Sequence, residues 1–254
     1  MIRIEETEIV GWRHAIRGMR NALNSWERSD TVYGTCWGVI DGHQCCDDYG
    51  FCIGRNDMEL MMTLRNAGTD HRKYMRMIVV FCDITAPLYW WKEYDTYKVG
   101  TVANSCSTMH KIHAKEFTFV DFSTEHLGYM SIPTFEQIIQ DLNAWRDAYN
   151  NYKEMPESFR TEYSKKEVWE NMIQLLPTSY NQKRTVMLNY EVLSNIYKSR
   201  KNHKLDEWRE LCKWIESGQS YVINFLITKT NYYKNKINVC VTVIMRAHLV
   251  DIQV

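Results

Sequence analysis

The sequence feature that most constrains the fold is a long apolar stripe that begins just after Thr134. Six apolar residues recur there at helical spacing, namely Phe135, Ile138, Ile139, Leu142, Trp145 and Tyr149. Because residues three and four apart share one face of a helix, the pattern predicts an amphipathic helix with a wide apolar face. Thr134, whose side chain suits a helix N-terminus, is the predicted N-cap.

Three more helices are predicted in the second half of the chain. Ser164 and Glu167 have the spacing of a capping box, in which each side chain accepts the other residue's backbone N–H. The helices themselves are defined by apolar residues at helical spacing: Val168, Trp169, Met172 and Ile173; Val186, Met187, Tyr190, Leu193, Ile196 and Tyr197; and Leu205, Trp208, Leu211, Cys212 and Ile215. This half is therefore predicted to be mainly helical.

The first half contributes a helix over residues 57–67, followed by a strand. Asp57 is the predicted cap of the helix, and Gly68 is the predicted stop. One helical face carries Leu60, Met61 and Leu64.

Two segments are predicted as strands. Residues 76–84, RMIVVFCDI, are rich in β-branched and aromatic residues and predict a buried strand. The stretch 237–254 has a similar composition, which suits an edge strand or an interface arm. Combined with the helices, these strands predict an α+β fold.

Composition excludes several classes of function. Lys plus Arg and Asp plus Glu both number 31, so the formal net charge is zero and no overall field draws the chain to nucleic acid or to an anionic membrane. No apolar stretch approaches the roughly 20 residues that span a bilayer. The first residues lack the basic-then-apolar pattern of a secretory signal, and the eight Cys then predict reduced thiols in the cytoplasm. Without repeats or linkers, residues 1–254 are predicted to form a single domain.

A dense group of metal-binding residue types precedes the first helix. It comprises Cys36, His43, Cys45, Cys46 and Cys52. No CxxC pair is present and the spacing fits no common zinc module, so free thiols in a loop are favoured over a metal site.

The segment ITAPLYWWKEYDTYKVGTVANSCSTMH resembles the signature region of the flavin-dependent thymidylate synthases. In that family a strand runs into an Ala-Pro pair, and an Arg-His-Arg triplet follows, then seven residues and a Ser. Ala86-Pro87 and Ser107 match, with Asn104 ahead of the Ser. Tyr97-Lys98-Val99 stands where the family has the triplet, and Met109 stands where it has an Arg.

Other landmarks of the family follow in the same order between about residues 57 and 217. AGTDHRKYMRM resembles the stretch before the strand and places His71 where the family has a His near the flavin. LLPTSYNQKRTVMLN resembles the Leu-Pro segment with the helix after it, and Lys183 stands about where the family has a nucleotide-binding Arg. SRKNHKLDEWRELCKWI resembles the final motif, keeping Arg200, Glu207 and Arg209.

This resemblance implies a fold, an assembly and a reaction. The fold is α+β with an antiparallel sheet and a helical second half, in a homotetramer with active sites shared between subunits. The reaction methylates dUMP to dTMP, with methylenetetrahydrofolate supplying the carbon, reduced FAD the hydride and NADPH the reduction of the flavin. The implied partner is thus a pyrimidine nucleotide, with no nucleic acid and no membrane.

The same resemblance implies roles for individual residues. Arg209 is the implied catalytic residue. Flavin-binding roles fall to His71, Lys98, Asn189 and Arg200. Nucleotide-binding roles fall to Asn104, Ser105, Ser107, Lys183 and Arg209. From these matches Arg200 and Arg209 are expected to face one cleft together with Ser107.

Elementary chemistry leaves alternatives open for these residues. Arg suits phosphate because its fork bonds two oxygens and stays charged, whereas Lys98 offers only a point charge. Residues 100–108 suit either a phosphate-binding loop or an ordinary turn into a helix. Trp90, Trp91 and Tyr94 suit a core more than a stacking surface. Three functions follow: a working flavoenzyme, a nucleotide-binding protein that has kept the fold without flavin chemistry, and a structural oligomer.

Overall fold

The computed structural model describes residues 2–33, 39–40, 43–44, 51–217 and 239–241. Before the middle of the chain lie β1 (Arg3–Val10), α1 (Trp12–Met19), β2 (Val32–Tyr33), β3 (Val39–Ile40), β4 (His43–Gln44), β5 (Phe51–Ile53), α2 (Arg55–Asn66), β6 (Val79–Pro87), α3 (Leu88–Tyr94), β7 (Val102–Ser105) and α4 (Thr108–Lys111). After it come α5 (Ile132–Asn150), α6 (Glu157–Glu162), α7 (Lys165–Leu175), β8 (Asn181–Asn189), α8 (Tyr190–Arg200), α9 (Asp206–Ser217) and β9 (Val239–Val241).

The strands form one larger sheet and two small ones. The larger sheet has the order β1-β6-β8-β7, the second has the order β2-β5-β9, and β3 pairs with β4. In the second sheet Val32 pairs with Cys52 and Cys52 with Cys240, both antiparallel. Of the predicted C-terminal strand, Val239–Val241 are confirmed as β9, and the rest lies outside the described residues.

The chain divides into two compact units, each built from separate stretches of sequence. The first unit comprises Met1–Glu5, Asp83–Thr96 and Ala103–Thr185. The second comprises Glu6–Cys82, Tyr97–Val102 and Val186–Val254.

The core of the first unit is built on α5 and α7, as the apolar stripe predicts. Phe135, Ile139 and Leu142 of α5 are buried together with Met172 of α7. Helix α5 begins earlier than predicted, because Ser131 is its N-cap residue and Pro133 occupies its first turn, where a missing N–H costs nothing. The capping box is confirmed: the Ser164 hydroxyl accepts from Glu167 N, and the Glu167 carboxylate accepts from Ser164 N.

In the second unit α2 confirms a predicted helix but not its predicted cap. The N-cap residue is Gly54, and Asp57 lies fully buried in the first turn of the helix. Asp30 caps α2 instead, since its carboxylate accepts from the backbone N of Asn56 (2.8 Å) and Asp57 (3.1 Å). Gly68 follows the helix with φ of 117°, which suits the left-handed stop expected there.

The helix predicted from Val186 is wrong over its first residues. Val186 and Leu188 are buried while Met187 between them is partly exposed, so this stretch has the two-residue period of a strand and belongs to β8. Helix α8 begins at Tyr190 because the Asn189 side chain accepts from Val192 N and ends the strand. Helix α9 agrees with its prediction except at Leu205, which precedes it, and it buries Trp208, Leu211, Cys212 and Ile215.

The described residues bear on the membrane expectation but not on the group of Cys and His residues. Among the described helices, none has the length and apolar character needed to cross a bilayer. The side chains of Cys36, His43, Cys45, Cys46 and Cys52 lie outside the described part of the chain.

Candidate functional site

The turn between α8 and α9 brings two of the predicted site residues together. Arg200 ends α8, and its guanidinium carbon lies 4.6 Å from the ring centre of Trp208 and 5.8 Å from that of Tyr97. Arg200 Nε also donates to the Tyr97 hydroxyl at 3.0 Å. Because Trp208 is fully buried, its ring is a fixed platform that limits where the guanidinium can lie.

Arg209 is tied to the same turn through the backbone. Its Nη1 donates to the carbonyl oxygens of His203 (2.8 Å) and Lys204 (2.9 Å), and its other terminal nitrogen forms an ion pair with Asp206. His203 Nε2 in turn lies 2.9 Å from Arg200 Nη1. Both arginines of the implied family motif therefore contact His203, which the sequence did not single out.

The segment that stands in place of the Arg-His-Arg triplet is mostly exposed. Lys98 is exposed, and Val99 is 92% exposed. Gly100 has φ of 80°, and a Cβ there would lie 2.7 Å from Asn189 Nδ2, so this position requires glycine. Tyr97, by contrast, is partly buried against Trp208 at a ring-centre distance of 5.9 Å.

Asn189 links this segment to the start of α8. Its Nδ2 donates to Gly100 O at 3.4 Å, and its Oδ1 accepts from Val192 N at 3.1 Å. The amide that the resemblance assigns to the flavin thus already holds the segment 97–100 and caps a helix. Its observed contacts give it a positioning role.

We expect Asn189→Ala to lower the free energy of unfolding by about 0.5–2 kcal/mol, the usual cost of losing an N-cap. Asn189→Asp keeps an acceptor for Val192 N and removes only the donor to Gly100. It should therefore restore most of the stability, while amide hydrogen exchange in residues 97–101 stays faster than in the wild type. Urea unfolding and exchange measured on both variants check this. Equal exchange in the wild type and the Asp variant would contradict the proposed link.

His71 lies beside a compact charge cluster. It is exposed and precedes a 3₁₀ helix, Arg72–Met77, which carries two arginines that bind Glu191. Arg72 Nε donates to Glu191 at 2.9 Å, and Arg76 donates to the same carboxylate. Burial raises the pKa of Glu191, but the hydrogen bonds from Arg76 and Arg72 outweigh it and the pKa is lowered. Glu191 is therefore ionised, and both arginines share its single negative charge.

The first unit holds the remaining predicted nucleotide ligands. Lys183 Nζ lies 2.9 Å from Asp83 and 3.6 Å from Glu5, and the contact with Asp83 raises the pKa of Lys183. A nucleotide phosphate would have to compete with two carboxylates for this lysine.

Asn104 and Ser105 lie on β7, and Ser107 follows them. All three are exposed. The Ser107 hydroxyl accepts from His110 N at 3.0 Å, so Ser107 caps α4. Of the two alternatives for residues 100–108, a phosphate-binding loop and a turn into a helix, the structure has the turn into a helix. The placement of Ser107 relative to Arg200 and Arg209 stays a prediction.

The aromatic residues after β6 belong to a core. Trp90, Trp91 and Tyr94 are buried, and Trp91 Nε1 donates to Gln182 O at 2.9 Å. Arg184 lies 4.3 Å above the Trp91 ring and donates to Asp95 at 3.0 Å. These rings pack the first unit, as their position directly after a strand predicts.

Comparison with solved structures places these residues in a known fold. The chain matches the crystal structure of the flavin-dependent thymidylate synthase ThyX from Helicobacter pylori complexed with FAD and dUMP, at a TM-score of 0.59 and 14% sequence identity. The match covers 89% of this chain and 98% of that one. The fold is that of a flavin-dependent thymidylate synthase. A second structure of ThyX from the same organism, with FAD and dUMP, gives the same values.

This likeness is one of structure. No family profile and no curated protein sequence matches the chain. The mixed α/β fold and the antiparallel pairing predicted from the sequence are confirmed at this level.

Proposed function

We propose that this protein binds dUMP or a related pyrimidine nucleotide and methylates it reductively, with methylenetetrahydrofolate as the carbon donor and FAD and NADPH as the source of reducing equivalents. The observation that carries the proposal is the α8–α9 turn, where Arg200 and Arg209 both contact His203. It occurs in a fold whose solved neighbour from Helicobacter pylori is complexed with dUMP.

The turn suits an anionic nucleotide because several cations lie close together and because the Arg200 guanidinium is already held in place. Arg200, Lys201, Lys204 and Arg209 lie within ten residues, and Asp206 forms an ion pair with Arg209. The Arg200 guanidinium is held by Trp208 and Tyr97, so little side-chain freedom is lost when it bonds a ligand oxygen. Arg209 is the proposed catalytic residue. Asn104, Ser105, Ser107 and Lys183 are proposed as further nucleotide ligands.

FAD, when bound, supplies the hydride for this reaction, and its pyrophosphate requires several donors in fixed geometry. The segment Tyr97–Val99 fits that requirement poorly, because the Tyr97 hydroxyl is engaged by Arg200 and the exposed Val99 side chain has no polar atom. Lys98 is the one charged side chain of the three. His71, Asn189 and Arg200 are proposed to complete the flavin contacts.

This poor fit favours a second candidate function. A nucleotide-binding protein that has kept the fold without flavin chemistry needs the α8–α9 turn but not the triplet. Both candidates predict dUMP binding, and only the first predicts a yellow protein that forms dTMP from dUMP, methylenetetrahydrofolate and NADPH. The absorbance spectrum of the purified protein together with a dTMP assay separates them. The homotetramer with shared sites is likewise proposed, and sedimentation of a monomer at micromolar concentration would contradict it.

We expect Arg200→Lys to weaken dUMP binding by roughly 10- to 100-fold. Lysine keeps the charge but loses the planar fork and its stacking on Trp208, and a hydrogen bond to a charged group is worth about 1.5–3 kcal/mol. Isothermal titration with dUMP measures the change. Lys213→Met, which removes an exposed charge from α9, is the matched control and should leave the affinity unchanged. Equal affinity for the Arg200→Lys variant and the wild type would overturn the proposed role of Arg200.

A further inference from the structure

Helix α1, in the second unit, carries two exposed arginines that each lie over an exposed aromatic ring. The guanidinium carbon of Arg13 is 5.6 Å from the ring centre of Tyr33, and that of Arg17 is 5.3 Å from the ring centre of Trp26. Because the two arginines are four residues apart, they share one face of the helix and lie about 6 Å apart along its axis. The rings of Tyr33 and Trp26 are 41% and 38% exposed. These four residues are called the Arg–aromatic face.

Both rings of the Arg–aromatic face are held in place by the fold. Trp26 Nε1 donates to Asn21 Oδ1 at 2.8 Å, which fixes the indole beside the end of α1. Tyr33 lies on β2, where it pairs with Phe51 of β5 in antiparallel register. Because neither ring is carried by a free loop, little order is lost when a planar group stacks on it.

The charge around this face is locally positive, although the chain as a whole is neutral. The stretch 11–33 contains four arginines and two carboxylates: Arg13, Arg17, Arg20, Arg28, Glu27 and Asp30. Arg20 donates to the buried Asp57, and Asp30 accepts from the first backbone N–H groups of α2. One carboxylate then remains against three arginines. In the part of the chain that the structure describes, neither Arg13 nor Arg17 forms an ion pair.

We propose that the Arg–aromatic face binds single-stranded nucleic acid. A single strand offers phosphates to guanidinium groups, and its unpaired bases stack on aromatic rings and on guanidinium planes. Two cation–ring pairs on one helix face provide both kinds of contact side by side. The neutral chain gives no long-range attraction, so binding depends on these local contacts. This surface is separate from the proposed reaction and does not rest on it.

A nucleic acid suits this surface better than an anionic membrane does. A helix that lies on a membrane inserts an apolar face between the lipids. The apolar residues of α1 are instead buried in the protein, namely Trp12, Ala15, Ile16 and Met19. The helix therefore has charged groups to offer on its outer side, but its apolar face is already covered.

Fluorescence anisotropy with a labelled oligoadenylate tests the stacking contact. Adenine is unlike the proposed pyrimidine substrate, and excess dUMP keeps the candidate site occupied. We expect Trp26→Leu to weaken binding by roughly 5- to 150-fold, the usual effect of removing one base-stacking ring. Trp26→Phe keeps a ring and should retain most of the affinity. Tyr129→Ala, which removes an 82% exposed ring from the first unit, is the control and should change nothing.

The salt dependence of the same titration tests the phosphate contacts. If two to three phosphates are neutralised, the wild-type affinity should fall roughly 10-fold between about 50 and 200 mM salt. Arg13→Gln and Arg17→Gln should each make the slope of log affinity against log salt shallower by about 0.7. Lys153→Gln, which removes an exposed charge from the first unit, should leave the slope unchanged.

Inorganic polyphosphate and vesicles of phosphatidylserine with phosphatidylcholine are the competing probes. A wild type that does not bind oligoadenylate overturns the proposal, whether or not it binds vesicles. Polyphosphate bound as tightly as oligoadenylate, with no loss for Trp26→Leu, would indicate a site for phosphate alone and also overturns it. If Trp26→Leu fails to fold, as judged by circular dichroism, the variant with both Arg13→Gln and Arg17→Gln decides, and wild-type affinity in that variant overturns the proposal.

Discussion

Replacing Asp57 by alanine is expected to destabilise the second unit by about 3–5 kcal/mol, the cost of leaving one partner of a buried ion pair uncompensated. Asp57 is fully buried, and Arg20, which is 4% exposed, donates from Nε to Asp57 Oδ1 at 2.6 Å. The other carboxylate oxygen accepts from the Ser29 hydroxyl at 2.7 Å and from the backbone and side chain of Thr31. Alanine would leave the buried Arg20 charge without its acceptor and would also remove the acceptor of Ser29 and Thr31.

The measurement is urea unfolding, and α2 offers its own control. Glu59 forms an ion pair with Arg55 four residues away, with both side chains more than 60% exposed. Glu59→Ala should change the free energy of unfolding by no more than about 1 kcal/mol, because exposed ion pairs contribute little. A loss for Asp57→Ala as small as that for Glu59→Ala would show that the buried network does not stabilise the fold.

The same residue shows why some features of the fold could not be predicted. The capping box of α7 and the apolar stripe of α5 depend on residues within a few positions of each other, so a local sequence pattern is enough to predict them. Asp57 looked like a helix cap because the acceptors and donors around it were unknown. The true cap, Asp30, is 27 residues upstream, and its approach depends on Gly54, where a Cβ would lie 2.1 Å from Asp30 Cγ.

Prediction of the candidate site followed the same division between local and distant contacts. Arg200 and Arg209 could be assigned to one motif because nine positions of sequence separate them, and in the structure they lie on either side of the α8–α9 turn. The contact of Tyr97 with Arg200 joins residues 103 positions apart. No local pattern indicates it. His203 was missed because a lone histidine carries no signal until the donors around its ring are known.

We expect this protein to bind FAD roughly two to four decades more weakly than the flavin-dependent thymidylate synthases that it resembles. Lys98 is the one cationic side chain at the three positions where that family has two arginines and a histidine. If two charge-assisted hydrogen bonds are lost, the deficit is about 3–6 kcal/mol at 1.5–3 kcal/mol each, and about 1.4 kcal/mol corresponds to one decade. Fluorescence quenching during titration of FAD into the purified protein measures this affinity, and stoichiometric binding at sub-micromolar FAD would contradict the expectation.

Restoring the two arginines is not expected to recover the lost affinity, and the structure gives a reason for each position. Val99→Arg adds a charge at an exposed position without loss of packing, so it should strengthen FAD binding if the pyrophosphate lies nearby. Tyr97→Arg removes the hydroxyl that accepts from Arg200 and sets a second guanidinium beside it, where like charges repel. The double variant should therefore bind FAD no better than Val99→Arg alone. Full recovery in the double variant would show that Tyr97 does not hold Arg200 in the FAD-binding state.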